Sequence, residues 1–143
     1  MQVNYADLNV LPLAIQLMPQ IAVVNTGTAA VDLSTITVRY YFTEDSNGAL
    51  NASCTFAAIG CGAITATFAT TGGQNADHYL QLHLSGTLAP GASTGVIQER
   101  IGKSDLTFFN QSNDYSYGSS FGTQTWTHIT AYHNGQLIWG SEP

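Results

Sequence analysis

Positively charged residues are scarce in this sequence: its 143 residues include only three Lys and Arg against nine Asp and Glu, for a formal charge of −6. Binding of nucleic acid needs a concentrated basic surface, so we expect no nucleic-acid partner. The chain also lacks the roughly 18 consecutive apolar residues of a membrane span, and we expect no membrane partner either. Hydrophobic residues still make up 44% of the chain, which excludes a disordered polymer and predicts one folded domain over residues 1–143.

The sequence signatures of the common enzyme classes are missing as well. It contains no HExxH, GxSxG, Gly-rich phosphate loop or CxxC pair. A glycosidase needs two carboxylates beside the scissile bond, and Glu99 is the only Glu inside a convincing strand pattern. A surface position on an exposed face is the better interpretation of Glu99, and the four His form no recognisable cluster. Most enzyme classes that are defined by motifs therefore receive no support from the sequence.

Short apolar and β-branched runs, separated by Gly, Asn, Pro or Asp, recur along the whole chain, and helical spacing never persists for three turns. This pattern is typical of an all-β protein with two packed antiparallel sheets. The eight predicted strands are 13–25, 34–43, 53–59, 63–69, 79–84, 94–101, 127–133 and 136–139.

Two local signals stand out between these runs. Asn134-Gly135 lies between the last two predicted strands and predicts a two-residue hairpin turn with positive φ at both positions. Cys54 and Cys61 enclose a short segment that contains Gly. Two cysteines this close can meet across a turn as a disulfide if the chain is extracellular, and the alternative is a pair of buried thiols.

Two long stretches, 44–51 and 104–122, carry no strand pattern. Asp45 lies in the first, and Asn113 and Asp114 lie in the second, without a neighbouring Lys or Arg in either loop. A calcium ion binds six to eight such oxygens and would offset the cost of ordering both loops. The alternative is that Asn113 and Asp114 form Asx turns while Asp45 is solvated.

Aromatic side chains on an exposed sheet can stack against the apolar faces of sugar rings. The exposed candidates are Phe56, Phe108, Phe109 and Tyr79, whereas Trp139, Tyr41 and Phe42 fit the core equally well.

Five segments of the chain together resemble, in order and spacing, a family 3 carbohydrate-binding module, the cellulose-binding jelly roll of bacterial cellulases and cellulosomal scaffoldins. The segments are VVNTGTAAVDLSTITVRYYFT (23–43), CTFAAIGCGAIT (54–65), LAPGASTGVIQERIGKSDL (88–106), NQSNDYSY (110–117) and NGQLIWGSEP (134–143). The resemblance implies a two-sheet jelly roll of about nine strands, no catalytic activity and a structural calcium ion. By position, the calcium ligands would be Thr43, Asp45, Asn110, Asn113 and Asp114, with Thr43 and Asn110 contributing backbone carbonyls.

Modules of this kind bind cellulose through a flat row formed by an Asp, a His or Tyr, an Arg and a Trp. The corresponding residues here are Thr55, Phe56, Arg100 and Leu106, with Gln98 as a neighbour. The Arg and one aromatic are retained, whereas the Trp platform and the Asp partner of the Arg are replaced.

One further hypothesis rests on adjacency in the sequence, and one further feature is implied by the resemblance. Phe108 and Phe109 are hypothesised to compensate for Leu106 by moving the aromatic surface along the loop. The family's shallow groove on the opposite sheet corresponds to Arg39, Tyr41, Tyr79 and Tyr132.

The resemblance implies a secreted or cell-surface module that targets a larger protein to cellulose or a related plant β-glucan. The alternative is a structural or protein-interaction module of the same fold, which contacts a catalytic domain or linker of a glycoside hydrolase and binds cellulose weakly or not at all.

Overall fold

A computed structural model describes all residues from 1 to 143 and consists of fourteen β-strands and three single-turn 3-10 helices. None of these helices is long and apolar enough to cross a membrane. The all-β prediction is confirmed. The strands are β1 Gln2–Asp7, β2 Leu13–Ala14, β3 Pro19–Val24, β4 Val31–Asp32, β5 Ile36–Phe42, β6 Leu50–Ala57, β7 Ile64–Thr70, β8 His78–Leu84, β9 Thr87–Leu88, β10 Ile97–Lys103, β11 Phe109–Asn110, β12 Gln124–Thr125, β13 Ile129–His133 and β14 Gln136–Trp139. The 3-10 helices are Leu33–Thr35, Cys61–Ala63 and Gln111–Asn113.

Two five-stranded antiparallel sheets form the sandwich. The first has the strand order β12-β1-β3-β10-β6 and the second has the order β14-β13-β5-β8-β7, while β2 with β11 and β4 with β9 form two small ribbons. A core of 20 buried residues contains side chains from both sheets, such as Tyr5 and Ile21 from the first and Phe42 and Leu80 from the second. The inner faces of the two sheets thus pack against each other, and only their outer faces are available to bind a ligand.

The strand count exceeds the expected nine, although the fold class agrees. The sequence prediction missed β1, where Val3 and Tyr5 are buried and alternate with less buried polar residues. It also predicted one strand over 13–25. The structure has two strands there, β2 and β3, because the chain bends between Ala14 and Pro19. The predicted loop 104–122 contains β11 and a 3-10 turn.

Glu99 is buried, so the prediction of an exposed surface position is wrong. In β10 it alternates with Gln98 and Arg100 and shares the inner face with Ile97 and Ile101, with only 2% of its surface exposed. Neither carboxyl oxygen has a hydrogen-bond partner. Because burial disfavours the charged form, it raises the pKa of Glu99 to about 7.

The final hairpin has the predicted turn. Asn134 and Gly135 have φ values of 49° and 81°, and β13 pairs with β14 from His133 and Gln136 outward. Positive φ at both positions matches the right-handed twist of the flanking strands, which explains why Asn-Gly is favoured there.

Cys54 and Cys61 form a disulfide, with their Cα atoms 5.7 Å apart. The bond joins the exposed edge strand β6 to the 3-10 turn that leads into β7. It therefore links β6 of the first sheet to the segment that leads into β7 of the second sheet.

Reduction of this disulfide is expected to lower the free energy of unfolding by about 2 kcal/mol, because a closed short loop restricts the unfolded chain. Urea unfolding with and without dithiothreitol measures the difference. The Cys54→Ser/Cys61→Ser variant should be insensitive to the reductant. If dithiothreitol lowers the free energy of unfolding of wild type and variant equally, the loss does not come from this disulfide.

Candidate functional site

The outer surface of β3, β10 and β6 carries most of the sugar-face residues predicted from the sequence. Gln98 of β10 pairs with Gln20 of β3 on one side and with Phe56 of β6 on the other. Two residues further along β10, Arg100 pairs with Ser53. Successive rows on one face of a strand lie about 7 Å apart. We call this surface the polar face; it comprises Gln20, Asn51, Ser53, Thr55, Phe56, Gln98 and Arg100.

A β-bulge explains why Thr55 and Phe56 are both exposed although they are consecutive. The register of β10 with β6 shifts between Gln98, which pairs with Phe56, and Glu99, which pairs with Cys54. Thr55 is the extra residue, and its hydroxyl donates to the carbonyl of Gln98 at 3.3 Å. Bulges of this kind redirect side chains next to functional sites, and here the bulge turns the Phe56 ring toward solvent.

Most polar side chains on this face have no partner within the protein. The side chains of Gln20, Asn51, Ser53, Gln98 and Arg100 make no hydrogen bond, and Arg100 takes part in no ion pair. The Arg100 guanidinium is therefore free to donate its five N–H groups to a ligand. The polar face thus combines unpaired amides, one unpaired cation and one aromatic ring on a sheet surface.

Leu106 projects from the turn that follows β10 and is 66% exposed. Its φ of 59° lies in the left-handed region, which costs a non-glycine residue about 1 kcal/mol. The turn is held by the Leu106 N–H, which donates to the Lys103 carbonyl at 3.1 Å, and by the Asp105 carboxylate, which accepts from the Thr107 hydroxyl at 2.8 Å. Leu106 thus presents an aliphatic surface at the position where the resemblance expects a Trp.

Phe109 is fully buried, so it was wrong to predict that its ring is exposed and compensates for Leu106. Its ring lies edge-on to that of Phe42, with centroids 6.0 Å apart, and the Lys103 Nζ lies 4.2 Å from its centroid. Phe108 is exposed as predicted, because neighbours in an extended segment point to opposite sides. Phe42 belongs to the core between the sheets. Tyr41 is also buried, but it lies on the outer side of the second sheet against Tyr79 and Tyr115. Tyr79 and Trp139 are partly buried.

Four of the five predicted metal ligands meet through their side chains in an oxygen-rich cluster between the two long loops. The Thr43 hydroxyl lies 3.0 Å from Asp45 Oδ1, 2.6 Å from Asn113 Oδ1 and 2.9 Å from Asp114 Oδ1. A hydroxyl carries one proton and can donate to only one of these three acceptors. The Asn113 amide donates to Asp45 Oδ1 at 3.3 Å and the Thr43 N–H donates to Asp114 Oδ1, so Asp114 Oδ2 is the buried side-chain oxygen of the cluster that has no donor.

Asp114 is the most constrained member of the cluster. Its Oδ1 accepts from the Thr43 N–H at 2.7 Å, whereas its Oδ2 is buried without a partner. Burial raises the pKa of Asp114 to about 8. The hydrogen bonds from Thr43 oppose this rise, and the negative charges of Asp45 and Asp77 add to it.

The fifth predicted ligand, Asn110, has its side chain engaged elsewhere. The Asn110 amide oxygen accepts from the Ser112 N–H and hydroxyl in a cap of the 3-10 turn, and the Asn110 N–H donates to Asp45 Oδ2 at 2.8 Å. This leaves its backbone carbonyl as the group that can serve a metal ion, in line with the sequence expectation. Asp45, with φ of 64°, bridges the two loops rather than being simply solvated.

The donor chemistry of this cluster fits a hard cation. The cluster contains two carboxylates, Asp45 and Asp114, and no His or Cys, and the structure has no group of three His, Cys, Asp or Glu side chains that could hold a metal ion. Sites for soft metals are built from thiolates and imidazoles, which this cluster lacks. Amide, hydroxyl, carbonyl and carboxylate oxygens are the ligands that calcium takes. The unpartnered Oδ2 of Asp114 is the group that such a cation would satisfy.

The predicted groove residues also come together, on the outer surface of the second sheet. The Arg39 guanidinium lies between the rings of Tyr79 and Tyr132, at 4.4 and 4.3 Å from their centroids, and donates to Gln81 at 2.8 Å. The Tyr41 hydroxyl lies 3.0 Å from that of Tyr132. Unlike Arg100, Arg39 is therefore already engaged by its neighbours.

Three members of the polar face were missed by the sequence analysis, namely Gln20, Asn51 and Ser53. The alternation of polar and apolar residues in β3 and β6 indicates that these side chains point away from the core. Their position beside β10 depends on strand order and register, which the local pattern does not specify.

Comparisons with known proteins match nearly the whole chain. A family described as a cellulose binding domain matches residues 5–140. An uncharacterized protein in the celA 5′ region of Paenibacillus lautus is 39% identical over 132 residues, which cover 90% of this chain and 91% of that protein. Endoglucanase A of the same organism is 41% identical over 90% of this chain, which spans only 19% of the endoglucanase. The carbohydrate-binding module of the cellulosomal cellobiohydrolase 9A from Clostridium thermocellum superposes with a TM-score of 0.91 at 35% identity, covering 98% of this chain and 95% of that one.

Proposed function

The chain belongs to the family of cellulose binding domains, and we propose that it binds cellulose, or a related plant β-glucan, through the polar face. The family is one of non-catalytic binding modules, in agreement with the absence of enzyme signatures from the sequence. The buried Glu99 is out of reach of a substrate and supplies no glycosidase carboxylate. The family match favours this function over the alternative of an interaction module without cellulose binding.

The observation that carries the proposal is the row of polar side chains without internal partners. Glucan chains offer apolar C–H faces edged by hydroxyl groups. Phe56 supplies an exposed ring for stacking, and Gln98 in the same row and Arg100 in the next row supply free hydrogen-bonding groups. Thr55 and Leu106 border this surface and add contact area rather than charge.

Free side chains on a sheet surface also explain how binding can be favourable. Groups that already point out from a rigid sheet lose less freedom on binding than groups on a mobile loop. Because Arg100 has no carboxylate partner, no internal ion pair has to break when it meets a sugar hydroxyl.

Arg100→Ala is expected to weaken adsorption to microcrystalline cellulose about tenfold, because hydrogen bonds from a charged donor are worth about 1.5–3 kcal/mol. Gln98→Ala should weaken it less. Gln136→Ala, which removes an exposed Gln from β14 in the other sheet, is the matched control and should behave as wild type. Equal adsorption isotherms for wild type and Arg100→Ala would overturn the assignment of the polar face.

Calcium is the proposed occupant of the oxygen-rich cluster. Asp45, Asn113 and Asp114 would bind it through side-chain oxygens, and Thr43 and Asn110 through backbone carbonyls. The role is structural, because the ion would tie the loop after β5 to the loop after β11, on residues that lie outside the polar face. The approach of Asp45, Asn113 and Asp114 oxygens to one hydroxyl and the buried, unpartnered Oδ2 of Asp114 support this proposal.

We further propose that the module works outside the cell as part of a larger protein. Disulfides persist in oxidising compartments, and Cys54–Cys61 is one. One relative is an endoglucanase of which this chain spans 19%. A catalytic domain or its linker is therefore the partner expected in the parent protein, which the module would hold on its polysaccharide.

A further inference from the structure

An apolar groove lies beside the polar face. Leu11, Leu13, Ile15 and Phe108 line it together with Ala14 and the amide residues Asn9 and Gln16, around a volume of about 420 Å³. No charged side chain takes part. We call it the apolar groove and keep this definition below.

The large side chains of the groove are unusually exposed for their type. Leu11, Leu13, Ile15 and Phe108 expose 62%, 58%, 42% and 56% of their surface. The two segments that carry them pair directly, Phe109 with Ala14 and Asn110 with Leu13, so the exposed residues form one patch. Single exposed apolar residues need no explanation, whereas a contiguous patch marks a binding surface.

The backbone beneath the groove is held in place. Gln111 is buried, and its side-chain amide donates to the carbonyls of Asn9 and Leu11 at 2.6 and 2.7 Å. The buried Lys103 ammonium donates to the Phe108 carbonyl at 2.8 Å. Both walls are thus fixed by buried polar groups, and the exposed apolar side chains are presented by an ordered scaffold rather than by a collapsed loop.

The groove is continuous with the polar face. Gln16 lines the groove and also covers Gly102, where a Cβ atom would lie 3.9 Å from Gln16 Cγ. Gly102 follows Arg100 by two residues on the outer side of β10 and pairs with Asn51. The row beyond Arg100 therefore opens directly into the apolar groove.

We propose that a glucan chain bound on the polar face continues into the apolar groove, where a sugar ring stacks on Phe108. This inference rests on the proposed function. A neutral polymer with apolar ring faces and hydroxyl edges matches an uncharged groove that has aliphatic walls, one aromatic ring and a free Gln16 amide. Phe108 thereby supplies the aromatic platform that Leu106 lacks, displaced along the same loop.

Adsorption to phosphoric-acid-swollen cellulose and titration with cellotetraose and cellohexaose test this directly. Phe108→Ala should weaken adsorption about tenfold, because stacking on an aromatic side chain is worth roughly 1–3 kcal/mol on the scale of base stacking. It should reduce affinity for the hexaose more than for the tetraose, because only the longer chain reaches from the face into the groove. Phe108→Tyr should adsorb as wild type does, and Phe108→Leu should be weakened to about the level of Phe108→Ala. Leu137→Ala, an exposed Leu on β14, is the control and should match wild type.

Several outcomes overturn the inference, and they are distinguishable from failure of the proposed function. If Arg100→Ala weakens adsorption while Phe108→Ala does not, the polar face stands and the groove is not part of the glucan site. If Phe108→Leu binds as well as wild type, the groove binds through apolar contact alone and the proposed stacking of a sugar ring on Phe108 is wrong. A wild-type dimer in sedimentation equilibrium that Phe108→Ala and Leu13→Ala dissociate would assign the groove to a second copy of the chain. If neither Arg100→Ala nor Phe108→Ala changes adsorption, both the proposed face and its extension fail.

Discussion

Chelation of calcium by EDTA is expected to lower the melting temperature of this domain by about 10–15 °C relative to saturating calcium. A ligand that binds only the native state stabilises it by mass action, by about 4 kcal/mol when its concentration is 1,000 times its dissociation constant, and each kcal/mol shifts the melting temperature of a domain of this size by about 3–4 °C. The structural reason is local. Without a cation, Asp114 buries a carboxyl oxygen that has no partner, and burial together with the negative charge of Asp45 raises the pKa of Asp114 and disfavours its charged form.

Asp45→Ala should remove most of the calcium response, because Asp45 contacts both Thr43 and Asn110 across the two loops. Asp32→Ala is the control: Asp32 is an exposed carboxylate that caps a 3-10 turn elsewhere, so this variant should lose some stability yet keep the full calcium increment. Magnesium should replace calcium poorly, because it demands a stricter octahedral arrangement. Thermal unfolding that is identical in calcium and in EDTA would rule out the calcium site.

Replacement of Glu99 by Met is expected to stabilise the protein by about 3 kcal/mol at pH 8 and by about 1 kcal/mol or less at pH 5. The folded pKa of Glu99 is about 7, above the value of about 4.3 for the unfolded chain. The unfolded state therefore loses its proton first as pH rises, and Glu99 costs stability progressively between about pH 4 and pH 7. Below that window both states are protonated, and the part of the cost that comes from ionisation disappears.

Urea unfolding of wild type, Glu99→Met and Glu99→Gln at pH 5 and pH 8 separates charge from packing. All three proteins share the other titrating groups, so only the difference between each variant and wild type is interpreted. Glu99→Gln keeps the shape and removes the charge, and its advantage over wild type should also be larger at pH 8. An advantage that does not change with pH would show that Glu99 is ionised equally in the folded and unfolded states.

Alternation within a strand predicted more of this structure than residue type did. In the run from Ile97 to Ile101, a period of two places Glu99 on the inner face with the two Ile and places Arg100 outside. The expectation that a charged residue lies at the surface overrode that pattern and failed for Glu99. The same period distinguishes Phe108 from Phe109, which the sequence analysis had grouped by adjacency.

Other features depended on contacts between distant segments and were beyond a local pattern. The Gln111 amide reaches carbonyls about a hundred residues earlier in the chain, and nothing in its neighbourhood indicates this. The bulge at Thr55 depends on the register with β10. By contrast, the Asn134-Gly135 turn was predictable because its requirement for positive φ is local.

The metal cluster was predictable from the sequence in part. The resemblance named its residues, and the lack of a Lys or Arg beside the carboxylates of the two loops had already suggested a cation. The structure adds the approach of three side-chain oxygens to the Thr43 hydroxyl and the unpartnered Asp114 oxygen. Neither follows from the order of the residues, because both depend on how closely the two loops approach.

Backbone amide chemical shifts recorded during titration with cellohexaose test the central claim most directly, because they locate the bound glucan on the surface. We predict that the largest changes fall on β10 and β6, at Thr55, Gln98 and Arg100, and that they continue to Phe108. The residues around Arg39 and Tyr132 on the second sheet should remain unchanged. Changes confined to that second sheet, with none at Gln98 or Arg100, would contradict the account.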